Sequence, residues 1–346
     1  MPAEYMTFGL APATRAGGVL PDGAYEAHRE FLDFIVDGRP LLHRLGGLDD
    51  GSAGDTVSPL AADFGPTVFT AHVRRLLLES EPPLADGRYV LYGCPECEGL
   101  DCGAVTAVIE REDDAVVWRD FAWQTDERAD LERDGYPGIG PFRFRAAQYR
   151  SELERVLADG AHEAPPRRVL LVGARASVLA RLANALRQTG IGAEISRDAA
   201  HASPEELRGY GAVAFGRGIG EAERQAVRAA FEAAGSDAAF VDGLAPVIPL
   251  LVAQIEQALD RSPYDLRQLV RLEAADGAAV LHVGSACRVR LTAYRLDRLF
   301  RTHTHELADA QLPAGEHRWE LDRRATRGES FLIARAPGNV LVTPVG

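Results

Sequence analysis

Between residues 168 and 260 the chain alternates short apolar runs with amphipathic ones, and this alternation restricts its fold more than any other feature. RVLLVG (168–173), GAEIS (192–196), GAVAFG (211–216) and AAFVDG (238–243) read as buried strands. SVLARLANALRQTG (177–190), EAERQAVRAAFEAAG (221–235) and VIPLLVAQIEQALD (247–260) read as helices. Strands joined through helices run parallel, and the helices then cover both faces of the sheet. Residues 167–262 are therefore expected to form a doubly wound parallel α/β domain with four strands.

In such sheets ligands enter the crevice beyond the carboxyl ends of the strands. Gly173, Arg175, Gly216, Arg217 and Asp242 fall there, and Gly216-Arg217-Gly218 would allow backbone to approach a small anion. A dinucleotide is disfavoured. VLLVGARAS (169–177) holds one glycine where the pyrophosphate turn needs G-x-G-x-x-G, and no acidic residue ends the second strand. NAD(P) or flavin is accordingly not expected, although Arg197 could favour a 2′-phosphate.

The flanks differ from this middle region. After a short helical stretch at 264–271, the runs 278–284, 288–296, 317–322, 330–336 and 339–345 alternate as half-buried strands separated by turn sequences. Residues 263–346 read as a small antiparallel β-sandwich. Residues 1–160 read as an α+β domain. Its expected elements are a poorly ordered start (1–20), helices at 24–36, 67–79 and 144–158, and strands at 88–93, 104–110 and 115–124. An acidic, Gly-rich loop covers 46–60, and 160–168 reads as a linker. The whole is a multidomain chain.

Charge and composition exclude several functions. All 38 basic residues are arginine, which removes the phosphate-binding lysine of a P-loop, the Schiff-base lysine of pyridoxal enzymes and any lysine base. Residues 1–164 carry 15 arginines against 30 carboxylates, a balance that argues against a nucleic-acid groove. No run of residues is long and apolar enough to span a bilayer, and the first residues lack a signal-peptide pattern, so a cytoplasmic location is expected. No Ser/His/Asp order, zincin motif or nucleophile elbow is present.

Three of the four cysteines lie in YGCPECEGLDCG (92–103), in the connection between two expected strands. Cys94 and Cys97 have knuckle spacing, and Cys102 follows five residues later. Three thiolates could hold zinc with a fourth ligand from His28, His43, His72, Asp101, Asp126 or water; water would leave an open position for Lewis-acid chemistry. A redox pair Cys94/Cys97 and thiols that simply pack a turn are the alternatives. Glu96, Glu98 and Asp101 disfavour bare thiolates and shift weight towards a bound cation. VVWRDFAWQTD (116–126) is either a stacking platform or core, and His303 with His305 either a metal pair or solvent-facing side chains.

Three resemblances attach to these residues. YGCPECEGLDCGAVTAVIE with VVWRDFAWQTD resembles a group of actinobacterial CPxCxxxxC proteins over residues 20–130, some of them named as oxidoreductases. The stretch from Arg167 to Leu207 resembles response-regulator receiver domains, but Gly173 with Ala174 and Gly216 with Arg217 stand where the family has its acidic pair and phospho-acceptor. That implies a pseudo-receiver that cannot be phosphorylated. The C-terminal region, with LPAGEH (312–317), is similar to immunoglobulin-like domains of the flagellar-hook-cap and sorting type, which implies contact rather than chemistry. The leading expectation is a zinc-containing binding or regulatory protein with a protein partner or small anionic ligand. An oxidoreductase using the cysteines or a nucleotide cofactor, and a zinc-dependent hydrolase, are the alternatives.

Overall fold

The computed structural model describes residues 5–20, 23–46, 53, 56–61, 66–94, 100–158, 168–196, 202–297, 301–322 and 328–345. The chain is rich in β-structure and builds several antiparallel sheets around one parallel sheet. Among the described residues no helix is long and apolar enough to cross a membrane.

The N-terminal region departs from expectation at its start. Residues expected to be disordered form strand β1 (Phe8–Arg15), and the expected helix at 24–36 is instead strand β2 (Arg29–Val36). The two pair antiparallel from Phe8 opposite Val36 to Arg15 opposite Arg29. REFLDFIV puts Phe31, Phe34 and Ile35 at a spacing that suits one helix face, yet so short an apolar run also suits a strand. A partner strand decides between them. Pro12 is tolerated because β1 is an edge strand, where a missing N–H breaks no ladder.

Helix α1 (Pro66–Leu76) and helix α2 (Ala146–Ala158) lie where expected. Between them run β3 (Arg88–Gly93), β4 (Ala104–Glu112), β5 (Ala115–Gln124) and β6 (Phe142–Arg145), paired in that order. Trp118 of β5 is fully buried, edge-on to Phe8, Phe34 and Phe144, so it is core and no ligand platform. Strict alternation along β5 breaks at Asp120, which has φ of 55° beside a register shift between Thr106 and Val108. Arg119 and Asp120 form an ion pair at the surface.

The middle region follows the alternation read from the sequence. Strand β7 (Arg168–Val172) leads to α3 (Ala176–Gln188), then β8 (Gly192–Ile195), β9 (Ala212–Phe215), α4 (Glu221–Ala233), β10 (Ala239–Asp242) and α5 (Ile248–Leu259). The four strands form one parallel sheet in the order β8-β7-β9-β10. One face carries Val169, Leu171 and Ala214 against α3 and α5; the other carries Leu170, Val213 and Phe215 against α4.

In the C-terminal region β11 (Leu269–Ala275), β12 (Ala278–Val283) and a later strand β15 (Gly315–Glu320) form one antiparallel sheet. Strands β13 (Cys287–Leu296), β14 (Thr302–Leu312), β16 (Glu329–Arg335) and β17 (Val340–Val345) form the other. Leu272, Leu281, Val289 and Leu332 share one core between them, as a sandwich requires. The helix expected at 264–271 is one 3₁₀ turn (Tyr264–Leu266) followed by β11.

Helix α5 joins these cores. Val252, Ile255 and Leu259 pack under the parallel sheet, whereas Leu250 and Ala253 meet Tyr294, Phe331 and Ile333 of the sandwich. A helix apolar on most sides must be buried on most sides. Its one acidic residue, Glu256, is buried with it at 1% exposure.

Candidate functional site

The carboxyl edge of the parallel sheet holds a crevice of about 260 Å³. Gly173, Arg175, Gly216 and Arg217 line it, with Phe215, Val241 and Leu251 among its apolar walls. Tight packing explains the glycines here. A Cβ on Gly173 would meet Leu179 Cδ2 at 3.2 Å and the Gly216 Cα at 3.6 Å.

The charges at this edge are mostly engaged. Arg217 donates to Glu329 of β16, with Nη1 3.0 Å from Oε2 and Nη2 3.2 Å from Oε1. Asp242 does not line the crevice; its carboxylate accepts from Arg224 and lies 3.7 Å from Arg228. Arg175 stands at the N-terminus of α3 without capping it, and no carboxylate pairs with it among the described residues. The crevice thus offers an apolar floor, uncapped helix amides and, among the described residues, one cation without a carboxylate partner. Arg197 lies outside the described residues.

The cysteine segment is only partly described. Cys94 is half-buried at the end of β3 and Cys102 is exposed, while Cys97, Glu96 and Glu98 lie outside the described residues. Among the described residues no three of His, Cys, Asp or Glu converge as a metal-binding group. Cys287 is buried in the sandwich, where desolvation pushes its thiol up to about 12.

The histidines considered as a fourth ligand separate clearly. His28 is fully buried with its Nδ1 2.7 Å from Glu256. His43 hydrogen-bonds Ser285 Oγ at 3.1 Å, and desolvation pulls its pKa down to about 4. His72 alone shares a recess with Cys94, a hollow of about 420 Å³ that Arg75 and Tyr89 also line. Asp101 is exposed, and so is Asp126. His303 and His305 lie on β14, and His303 Nε2 sits 3.1 Å from Asp297.

Two buried polar groupings were not legible in the sequence. Asp33 on β2 accepts the hydroxyl proton of fully buried Tyr92, and burial raises the Asp33 carboxyl to about 7. At the junction of the three regions, Glu256 receives His28 Nδ1 and, at 3.1 Å, the Gly17 amide. The His28 amide donates to Thr189 at the end of α3, and Arg335 of β16 donates to the Gly17 carbonyl. A Cβ on Gly17 would lie 2.5 Å from the His28 nitrogen and 2.7 Å from the Glu26 carbonyl, so only glycine fits. Burial opposes a charged His28, but the Glu256 carboxylate prevails and lifts its pKa to about 9. Burial likewise opposes ionised Glu256, and His28 holds its pKa below the ordinary range. The pair is a buried imidazolium–carboxylate clasp. The signals were the lone acid in an apolar helix and the Gly17-Gly18 pair.

The chain matches no family model, no curated protein and no solved structure.

Proposed function

We propose that this protein is a binding or regulatory module that takes a small anionic ligand in the crevice at the carboxyl edge of its parallel sheet. The observation that carries this reading is the position of Arg217, which lines the crevice and at the same time holds Glu329 of the sandwich. An anion entering the crevice competes with Glu329 for that guanidinium, so occupancy is felt in the sandwich. Arg175 and the uncapped amides of α3 supply further attraction for negative charge. The strand order β8-β7-β9-β10 supports a flavodoxin- or receiver-like unit, with Gly216 and Arg217 in place of a phospho-acceptor. The sandwich fits a contact module better than a catalytic one.

Titration calorimetry with nucleotides, sugar phosphates and NADPH tests this. Binding of one such anion, weakened in Arg175→Ala and tightened in Glu329→Gln, is the expected result. No heat with any of them overturns it.

A second reading retains zinc at Cys94, Cys97 and Cys102. What supports it is that Cys94 and His72 line the same recess, which makes His72 the histidine best suited to complete the site. Elemental analysis of freshly purified protein should give one zinc per chain, lost in C94S and C97S; metal-free wild-type protein sinks it.

A further inference from the structure

The recess in the N-terminal region has features that the crevice lacks. Its walls come from α1, from β3 and from the segments around Val57 and Leu84. His72, Arg75 and Leu76 share a face of α1 because they are three and four residues apart. Tyr89 and Val90 of β3 both reach the recess beside a register shift between Val90 and Tyr92, which breaks strict alternation and turns neighbouring side chains to one side. At about 420 Å³ the volume falls in the range of roughly 300–1,000 Å³ typical of small-molecule sites.

Most of the lining is apolar: Val57, Leu76, Pro83, Leu84, Val90 and Leu100. Two polar groups stand out against it. Arg75 is half-buried and has no carboxylate partner among the described residues, in a chain with 51 acidic residues to its 38 arginines. Its Nη1 lies 3.5 Å from His72 Nδ1, a contact that leaves its charge uncompensated. Tyr89 is 3% exposed, and its hydroxyl has no hydrogen-bond partner among the described residues. That hydroxyl is not sealed from solvent, so it stands free to donate to a molecule in the recess. The Ser58 hydroxyl, by contrast, donates to Leu32 and accepts from Leu60.

A cation and a phenol donor in an otherwise apolar hollow call for an acceptor-rich, singly charged head on an apolar body. We infer that this recess is a second binding site, for a small monocarboxylate with an aliphatic or aryl tail. Arg75 and Tyr89 take the carboxylate, as charge-assisted donors do, and the apolar walls take the tail. A phosphate ester suits it less, since a single arginine in an apolar hollow cannot match a dianion. The site rests on Arg75 and Tyr89 and not on the cysteines, so it stands or falls separately from zinc and from the sheet crevice.

Calorimetry on the full chain with octanoate and 4-phenylbutyrate, against 1-octanol and octylamine, tests the inference. Octanoate or phenylbutyrate binds, octanol binds about tenfold or more weakly, and octylamine does not bind. In Arg75→Gln the preference for acid over alcohol disappears, and Tyr89→Phe, which keeps the ring and its packing, loses about tenfold for the acid with no loss for the alcohol. Circular dichroism of both variants checks that they fold. Equal binding of octanol and octanoate, unchanged octanoate affinity in Arg75→Gln, or no heat with either acid overturns it.

Discussion

Of the ion pairs that tie the parallel α/β region to its neighbours, two belong to opposite physical regimes. His28–Glu256 is dry, with side-chain exposures of 0% and 1%. Arg217–Glu329 is wet, with side-chain exposures of 52% and 49%. Both bring opposite charges within 3.0 Å. In the dry pair each charge has lost its hydration and depends on its partner, so removing one partner strands the other. In the wet pair water replaces whatever is removed. The clasp is therefore a structural commitment, whereas the surface contact is cheap to open and suited to exchange with a ligand.

The largest expected effect comes from removing one side of the clasp. Glu256→Ala leaves His28 buried against Glu30, 3.6 Å away, and takes the acceptor from the Gly17 amide. Loss of a partner in a buried pair costs about 3–5 kcal/mol. Urea unfolding should register this as a lower midpoint with little change in slope. A loss below about 1 kcal/mol would erase the distinction drawn between the two pairs.

The clasp also has a pH signature that the surface pair lacks. The folded pKa of His28, about 9, lies above the ordinary histidine value of 6.5. The stabilisation from its charge is therefore complete below pH 6.5 and is lost as pH rises through about 9. A shift of this size corresponds to about 3 kcal/mol. Glu256 moves the other way, so its share of the same interaction fades as pH falls below the carboxylate range. Asp33 adds a separate slope. Its carboxyl, raised from 3.8 to about 7 by burial, makes the fold less stable as pH climbs across that interval. Stability measured against pH in wild type and His28→Gln separates them: the decline between pH 6.5 and 9 should flatten in the variant, and the decline below it should persist.

The contrast also bears on what could be read in advance. The parallel sheet was legible nearly to the residue, because each strand is a short apolar run bounded by glycine and each helix shows its face within a few turns. From the strand ends Gly173 and Gly216 followed, and both line the crevice. What was not legible depends on distant partners. Strand β2 needed β1 to overrule the helical spacing of Phe31, Phe34 and Ile35 in an apolar run short enough for either. Strand β14, THTHELADAQL, was anticipated only at His303 and His305, because none of its residues is fully buried and it shows little apolar alternation. Glu329 is 112 residues from Arg217, and Glu256 is 228 from His28; local pattern does not link such pairs. The cysteines were conspicuous in the sequence, while Arg75 and Tyr89 became visible only once a shared recess brought together an arginine without a carboxylate and a phenol without an acceptor among the described residues.

The smallest expected effect is at the surface pair. In Arg217→Ala the stability change should stay below about 1 kcal/mol, because each group is half in water and recovers hydration when released. Raising the salt concentration should shrink even that difference, since charges exposed to solvent are screened over about 8–10 Å at ordinary ionic strength. The deficit of Glu256→Ala should barely respond to salt, because ions do not reach the clasp. Unfolding of both variants at low and high sodium chloride makes the comparison within one experiment. A salt-insensitive loss above about 2 kcal/mol in Arg217→Ala would mean that Arg217 and Glu329 seal the sandwich against the sheet as firmly as His28 and Glu256 do, well above the usual range for exposed pairs. An anion in the crevice could not then release Glu329 at modest expense, and coupling between crevice and sandwich would need a different carrier.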